Sequence, residues 1–231
     1  MGEITTFNIN VEEYKDPSET IEEINKIQLN AFAYAKLLNT EYYFCLSWKG
    51  KGFEVRLRFF KEDFHHLEGI GQLKDLDIHA ESGNITFVKS LKGDICEENL
   101  SKSWFFEEEK VKNKIDFLHL LEQAIDNNDW VFRYNEDNDK RSKIQAEFFL
   151  FTDIDGNDIY VYIARRNNRK TDYYCRSFVA NPNYDKRQNQ KKLTTLWKEK
   201  IDLTTGKSKV LYRYKNFVPS ELKIKCNTGR L

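Results

Sequence analysis

Residues 144–165 read IQAEFFLFTDIDGNDIYVYIAR, and this stretch decides the fold class. Aromatic and β-branched residues dominate residues 144–152 and 159–165, which is typical of strands. The segment between them, residues 153–158, has the residue types of a hairpin turn. A calcium loop is excluded, because its glycine comes too early and Ala164 stands at the twelfth position, where a bidentate Glu is required. The stretch therefore predicts two strands joined by a turn.

Further strand-like segments lie on both sides of this stretch. They cover residues 130–134, 172–180, 192–203 and 209–214. Before Asp129 the pattern is mostly helical over residues 61–128, with helices predicted over residues 85–100, broken near Gly93, and over residues 111–125. Helices followed by consecutive strands indicate an α+β fold, in which central helices pack on one face of an antiparallel β-sheet.

The N-terminal part predicts a helix and a hairpin. Asp16-Pro17-Ser18-Glu19 resembles a helix start, and apolar residues then follow at helical spacing to about Asn39. Residues 42–48 and 53–60 read as strands, with the turn residues Lys49-Gly50-Lys51-Gly52 between them. Because no repeat or linker interrupts the chain, we expect a single α+β domain over residues 1–231, with residues 1–41 as an N-terminal helical elaboration.

Charge is unevenly distributed, although 37 basic and 37 acidic residues give a net charge of zero. Residues 165–215 contain 15 Lys or Arg against 4 Asp or Glu, a local charge of +11. Residues 216–231 add three bases and one acid, so residues 1–164 carry −13. This asymmetry favours a C-terminal region that binds a polyanion, and the alternative is a basic surface that is merely solvated.

Several other classes of protein and site are disfavoured. No apolar run approaches the roughly 18 residues of a membrane span, and residues 1–10 do not resemble a secretory signal. We therefore expect a cytoplasmic protein with no membrane partner. The cysteines are far apart and form no C-x-x-C pair, which favours reduced thiols over a zinc site or a disulfide framework. They are Cys45, Cys96, Cys175 and Cys226.

Two local patterns resemble ligand sites without meeting their requirements. Gly206-Lys207-Ser208 resembles the end of a phosphate-binding loop, but Ile201 stands where that loop needs a glycine. His65-His66 lacks the H-E-x-x-H spacing of a zinc helix. We therefore expect neither a metal nor a cofactor.

Two segments carry a stronger functional signal. Residues 64–73 read FHHLEGIGQL, and residues 173–179 read YYCRSFV before YDKRQNQK at residues 184–191. Their order and spacing resemble a phage- and mobile-element-associated family of barnase–EndoU–colicin–RelE (BECR) nucleases. In that family an F-x-H-L-x-G segment precedes several helices, and a sheet follows with an S-F strand, a Tyr and a Gln. The resemblance implies a BECR-like nuclease core over about residues 42–214.

The resemblance also implies catalytic residues. The F-x-H-L pattern picks His66 rather than His65, and the S-F pattern picks Ser177. Tyr184 and Gln190, or Gln188, fill the later polar positions. Arg176 is a further candidate, because a guanidinium binds phosphate through a fork of donors. Neighbours on a regular strand face opposite sides, so we favour Ser177 in the cleft unless a bulge or strand end brings Arg176 beside it.

The expected function is metal-independent endoribonuclease cleavage, in which histidine acts as acid or base and cations surround the phosphate. The protein would then be a toxin or an antiphage effector. Its expected partners are RNA and an inhibitor or immunity protein. The alternatives are a non-catalytic RNA-binding module on the same fold and a protein whose basic region binds an acidic partner. The candidate RNA-binding residues combine cations with an aromatic ring that could stack on an unpaired base, and they are Lys186, Arg187, Lys191, Arg165, Arg166 and Tyr174.

Overall fold

The computed structural model describes residues 24–108, 111–128, 130–166 and 171–219. The α-helices in these ranges are α1 (Lys26–Ala35), α2 (Phe64–Leu67), α3 (Gly83–Lys92), α4 (Glu97–Leu100), α5 (Phe105–Glu108), α6 (Val111–Phe117) and α7 (Leu121–Asp126). The strands are β1 (Thr40–Trp48), β2 (Lys51–Arg58), β3 (Trp130–Arg133), β4 (Phe148–Ile154), β5 (Asn157–Arg165), β6 (Asp172–Ala180), β7 (Lys191–Asp202) and β8 (Ser208–Arg213). Helices and a sheet occur together, as an α+β fold requires.

The strands form one sheet in the order β1-β2-β6-β5-β4-β3-β7-β8, and a further pairing of β1 with β7 closes it on itself. Strand β7 permits this closure because it is 12 residues long. One edge of β7 pairs with β3 at residues 191–193 and with β8 at residues 197–201. Its other edge pairs with β1. The N-terminal hairpin is therefore part of the same sheet as the late strands.

The late strands pair in antiparallel fashion, as predicted. The N-terminal hairpin, which that prediction did not include, adds one parallel junction, where β2 and β6 pair through Arg56–Asp172 and Leu57–Tyr173. These two strands are far apart in the sequence. Their direction is therefore set by how the hairpin β1–β2 closes the sheet, and the local residue pattern does not reveal it.

The β4–β5 hairpin is buried on both faces. Phe148, Leu150 and Val161 belong to the large core that the sheet shares with the helices. Tyr160 and Tyr162, with Phe132, Tyr134, Phe149 and Phe151, form a second aromatic cluster on the opposite face, against which Ile144, Ala146 and Val179 pack. Burial on both faces explains why residues 148–151 and 159–163 are apolar without interruption.

The helix boundaries differ from the sequence predictions. The predicted start at Asp16 lies outside the described residues. Helix α1 begins at Lys26, where the Asn25 side chain accepts a hydrogen bond from the Gln28 amide at 2.9 Å, and it ends at Ala35. A loop follows from there to β1, so the predicted end near Asn39 is wrong.

Three further boundaries can be compared with their predictions. The single helix predicted over residues 111–125 is wrong, because a 3-10 turn at Leu118–Leu120 separates α6 from α7. The predicted break near Gly93 is confirmed, since this residue ends α3 with a φ of 80°. Strand β4 begins at Phe148, four residues later than predicted. Among the cysteines, Cys45, Cys96 and Cys175 are free thiols, and Cys226 lies outside the described residues.

Gly69 connects α2 to the 3-10 turn Ile70–Gln72 in a conformation that favours glycine. Its φ is 85°, and an added Cβ would lie 2.9 Å from Cδ of Lys114 and 3.3 Å from Cγ2 of Val111. Gly69→Ala should therefore lower the free energy of unfolding by about 1–2 kcal/mol, measured by chemical or thermal denaturation. Gly52→Ala is the control, because no described atom lies within 4 Å of its Cβ position. Equal stability of the two variants would contradict the prediction.

Candidate active site

A β-bulge in β6 places two neighbouring polar side chains on the same side of the sheet. Tyr162 pairs with Ser177 and Ile163 pairs with Cys175, so Arg176 is an extra residue with no partner in β5. Tyr173 and Cys175 point into the large core before the bulge, and Phe178 and Ala180 do so after it. Arg176 and Ser177 therefore both face away from that core. The sequence analysis favoured Ser177 over Arg176 as the cleft residue. That choice is unnecessary, because the bulge brings both side chains to the side of the sheet that faces away from the large core.

Both residues line a cleft of about 570 Å³. Its walls come from α2 and the turn after it, α6, residues 141–144, the outer side of β6 and residues 182–186. His66, Tyr184 and Lys186 line the same cleft. The structure thus brings together four of the five residues that the sequence proposed as catalytic, which are His66, Arg176, Ser177 and Tyr184.

The cleft is rich in cations. Among its described lining residues there is no Asp or Glu, and the cations are Lys74, Lys114, Arg141, Lys143, Arg176 and Lys186. Lys114 is buried beneath the α2 turn, whereas Lys74, Arg141 and Lys143 are exposed at the rim. Such a cleft attracts a phosphate through charge and through hydrogen-bond donors.

The two adjacent histidines lie in different environments. His65 is buried, and its Nδ1 lies 3.0 Å from Oγ1 of Thr86. His66 is exposed to the cleft at the end of α2. Gly71 lets both rings lie close to the following turn, since an added Cβ there would be 2.9 Å from Nε2 of His65 and 3.5 Å from Nδ1 of His66. The F-x-H-L pattern therefore selects the histidine that can reach a ligand.

The cations around His66 disfavour its charged form. Its pKa lies below the ordinary histidine value, first because partial burial disfavours an imidazolium and then because Arg176 and Lys114 are positively charged. At neutral pH the ring is accordingly uncharged and can accept a proton.

A buried acid supports the turn behind His66. Glu68 is fully buried, and burial raises its pKa to about 8, an effect that Asn30 and Lys114 partly offset. The Asn30 amide donates to Oε1 of Glu68 at 2.9 Å and also to the carbonyl of Ile115 at 2.7 Å. These contacts tie α1, α2 and α6 together at the floor of the cleft.

Another wall of the cleft contains a hydrogen-bonded group of Tyr184, Lys186 and Asp139. The Tyr184 hydroxyl donates to Oδ1 of Asp139, and the Lys186 ammonium donates to the Tyr184 oxygen and, at 3.2 Å, to Oδ2 of Asp139. Asp139 and Lys186 are both buried. Arg141 lies over the Tyr184 ring, 4.8 Å from its centroid.

The structure does not bring Gln190 into the cleft. Its side-chain amide makes two hydrogen bonds to the backbone of Asn135, at 2.7 and 3.0 Å, and so holds the end of β3 against the start of β7. The alternative residue, Gln188, is exposed outside the cleft. We therefore remove both glutamines from the candidate catalytic set, because neither side chain lines the cleft.

Most of the candidate RNA-binding residues also lie elsewhere. Arg165 pairs with Glu147 at 2.9 Å, and Arg187 pairs with Asp185 at 2.7 Å. Arg166 binds Asp63 and stacks 4.6 Å from the Tyr174 ring centroid. Lys191 is exposed beside Trp48. Of the six residues, Lys186 alone lines the cleft, and it is buried against Asp139.

Sequence reasoning missed the other cleft cations and Asp139. Lys74 follows a 3-10 turn, Lys114 lies in α6, and Arg141 and Lys143 lie in the loop before β4. No local pattern distinguishes these residues from other surface cations. Only the tertiary fold brings these residues together, so the sequence alone does not identify them as cleft residues.

Comparison with protein families identifies the class of protein. A family model described as "phage-Barnase-EndoU-ColicinE5/D-RelE like nuclease4" (PBECR4) matches residues 26–215. The chain belongs to this nuclease family. Searches among curated proteins and among solved structures found no match. The resemblance inferred from residues 64–73 and 173–191 is thus confirmed at the level of the family.

The PBECR4 match includes every element described above, from α1 to β8, and therefore all walls of the cleft. The described residues lack two further kinds of feature. They contain no group of three or more His, Cys, Asp or Glu side chains that could hold a metal ion together. No described helix has the length and apolar character to cross a membrane.

The positive charge of Arg176 should have a measurable effect on the pKa of His66 in this PBECR4 protein. Arg176→Gln should raise the His66 pKa towards its ordinary value, because a positive charge that disfavours the imidazolium is removed. The pKa can be followed by NMR titration of the histidine ring protons. Arg213→Gln is the control, since Arg213 is exposed on β8 outside the cleft. An unchanged or lower His66 pKa in Arg176→Gln would contradict the geometry.

Proposed function

We propose that this chain is a metal-independent endoribonuclease that cleaves RNA by attack of the 2′-hydroxyl on the adjacent phosphate. The observation that carries the proposal is the position of His66, uncharged and exposed, in a cleft whose described charged lining residues are all cations. Such cleavage needs a base near the 2′-hydroxyl and positive charge around the phosphate, and side chains of the cleft can supply both.

The proposed roles follow from the charge of each group. His66 takes the proton of the 2′-hydroxyl, because its lowered pKa leaves the ring able to accept one at neutral pH. Arg176 and Lys114 stabilise the negative charge that grows on the phosphate oxygens. Ser177 lies next to Arg176 on the same side of β6 and offers a hydroxyl to the phosphate or the ribose.

RNA is the proposed substrate because the mechanism uses the 2′-hydroxyl as nucleophile. Its products carry 2′,3′-cyclic phosphate ends, and DNA of the same sequence stays intact. Incubation of labelled RNA and DNA with a chelator tests this directly. Cleavage that stops in chelator and returns with magnesium would overturn the mechanism. Salt-dependent binding of RNA without cleavage would instead select the RNA-binding module.

The biological setting belongs to the same proposal. The family name refers to phages, which favours a toxin or antiphage effector that acts on cytoplasmic RNA. A nuclease of this kind would need an inhibitor or immunity protein in the cell that makes it. Co-expression that relieves its toxicity would identify such a partner.

His66→Ala should lower the rate of RNA cleavage by about 10²- to 10⁴-fold, the usual cost of losing a general acid or base. RNA affinity should change little, because interactions with phosphates elsewhere in the cleft supply most of the binding. Cleavage rate and affinity are measured on the purified variant with the same labelled RNA.

His119→Ala is the matched control for this variant. His119 lies outside the cleft, and its Nδ1 is buried without a partner among the described residues, so its removal leaves no partner of that atom unpaired. His65 is a poor control, because it is buried and bonded to Thr86. Normal cleavage by His66→Ala would end the proposed role of this histidine.

The rim cations predict the salt dependence of RNA binding. Replacing Arg141 and Lys143 together with Gln should weaken binding, because fewer phosphates are neutralised. The slope of the logarithm of affinity against the logarithm of salt concentration should become shallower by about 0.7 per phosphate. Both side chains are exposed at the cleft, so the fold should tolerate the change. The measurement is a series of dissociation constants at increasing salt.

Lys207→Gln with Lys209→Gln is the control, because these lysines are exposed in the β7–β8 turn and near the start of β8, and both belong to the +11 stretch. If the control variant showed the same drop in affinity and in salt dependence as the rim variant, the binding surface would follow the basic stretch of sequence. The cleft would then not be the RNA site.

A further inference from the structure

The group of Tyr184, Lys186 and Asp139 has the components of a proton donor. Cleavage by 2′-hydroxyl attack needs an acid for the leaving 5′ oxygen as well as a base. His66 is suited to the base, and no other histidine lines the cleft among the described residues. The acid must therefore be sought among the remaining groups that hold a proton at neutral pH.

Among the described lining residues, Tyr184 has a hydroxyl that is hydrogen-bonded to both Lys186 and Asp139. Its ring is partly exposed to the cleft, and its oxygen accepts a hydrogen bond from the Lys186 ammonium. Burial and the nearby carboxylate of Asp139 keep the pKa of the phenol above its ordinary value, so the hydroxyl is fully protonated at neutral pH. The Lys186 ammonium also lies 4.0 Å from the centroid of the Tyr184 ring.

Asp139 holds the group in place. Its carboxylate accepts from the Tyr184 hydroxyl and from Lys186, and the Tyr134 hydroxyl also donates to it at 3.4 Å. The buried hydroxyl of Tyr162 has no hydrogen-bond partner among the described residues and belongs to the same aromatic cluster as Tyr134. A fixed carboxylate beside these buried tyrosines prevents Lys186 from swinging out to solvent.

Resting on the proposed endonuclease function, we propose that Tyr184 donates a proton to the leaving 5′ oxygen and receives its replacement from Lys186, with Asp139 as a positioning residue. In this step the 2′ oxygen forms its bond to phosphorus while the bond from phosphorus to the 5′ oxygen breaks. His66 takes the 2′-hydroxyl proton. The Tyr184 hydroxyl turns from Oδ1 of Asp139 and gives its proton to the 5′ oxygen, and a lysine proton moves to the phenol oxygen. Exchange with water then returns His66 and Lys186 to their starting states.

A change of leaving group tests this assignment. RNA in which sulfur replaces the bridging 5′ oxygen releases a thiolate, which leaves without being protonated. Tyr184→Phe should cleave ordinary RNA about 10²- to 10⁴-fold more slowly than wild type and should cleave the sulfur-containing RNA at close to the wild-type rate. His66→Ala should be slow on both substrates, because the base is needed in either case.

Two further variants sharpen the experiment. Lys186→Arg keeps a cation beside Asp139 but holds its protons too firmly to pass one on, so it should show the same rescue by sulfur. Tyr212→Phe removes a hydroxyl from an exposed tyrosine of β8, outside the cleft, and should match wild type on both substrates. Melting temperatures of all variants are compared so that unfolding is not mistaken for lost chemistry.

The other outcomes would overturn the inference. If Tyr184→Phe were equally slow on both substrates, Tyr184 would only support the wall of the cleft. If it were normal on both, another group would protonate the leaving oxygen. Wild-type protein that cleaves neither substrate would remove the proposed function itself, and this result is distinguishable from failure of the acid assignment alone.

Discussion

Burial of both faces of the β4–β5 hairpin is the constraint on which the rest of the structure depends. The inner face packs on the helices, and the outer face presents a cluster of six aromatic side chains. Each large apolar side chain contributes about 1.5–3 kcal/mol when it is buried, so this outer face needs a cover. Residues 135–147 and 181–190 provide it, through Ile144 and through a hydrogen bond from the Tyr160 hydroxyl to Asp185 at 3.1 Å. The cleft lies where these covering segments meet α2 and α6.

The bulge in β6 and the covering segments give the two walls different electrostatic environments. On the α2 wall, partial burial and then the charges of Arg176 and Lys114 lower the pKa of His66, so the ring is uncharged at neutral pH. On the other wall, burial and then the Asp139 carboxylate raise the pKa of Tyr184, so its hydroxyl keeps its proton at neutral pH. Under the proposed mechanism, burial and neighbouring charges would assign these two groups different roles at a single pH, as happens in characterised enzymes.

The sequence predicted what depends on local order and missed what depends on long-range pairing. The strands and the turn of residues 153–158 follow from residues close together in the chain, whereas the choice of His66 rested on the family resemblance of residues 64–73. The bulge at Arg176 was invisible, because Tyr173 to Ala180 reads as a regular strand until its partner β5 is known. Gln190 was misplaced because its amide bonds to a backbone 55 residues away. Closure of the sheet was missed for the same reason, because β1 and β7 pair although they are far apart in the sequence.

The charge asymmetry of the sequence has a different meaning in the folded protein. Carboxylates from the acidic N-terminal part pair with cations of the basic stretch, as Asp63 does with Arg166 and Glu122 with Lys200. Lys198 is buried and donates to the carbonyl of Ile125 at 3.0 Å, so it closes the end of α7 and offers nothing to solvent. Much of the +11 is therefore used within the fold. The positive charge of the cleft arises instead from the six cations among its described lining residues, which come from five separate segments. Of these six, Lys186 is paired with the buried Asp139. The positive charge of the cleft thus depends on where the fold gathers cations without lining carboxylates, and a count along the chain does not report this.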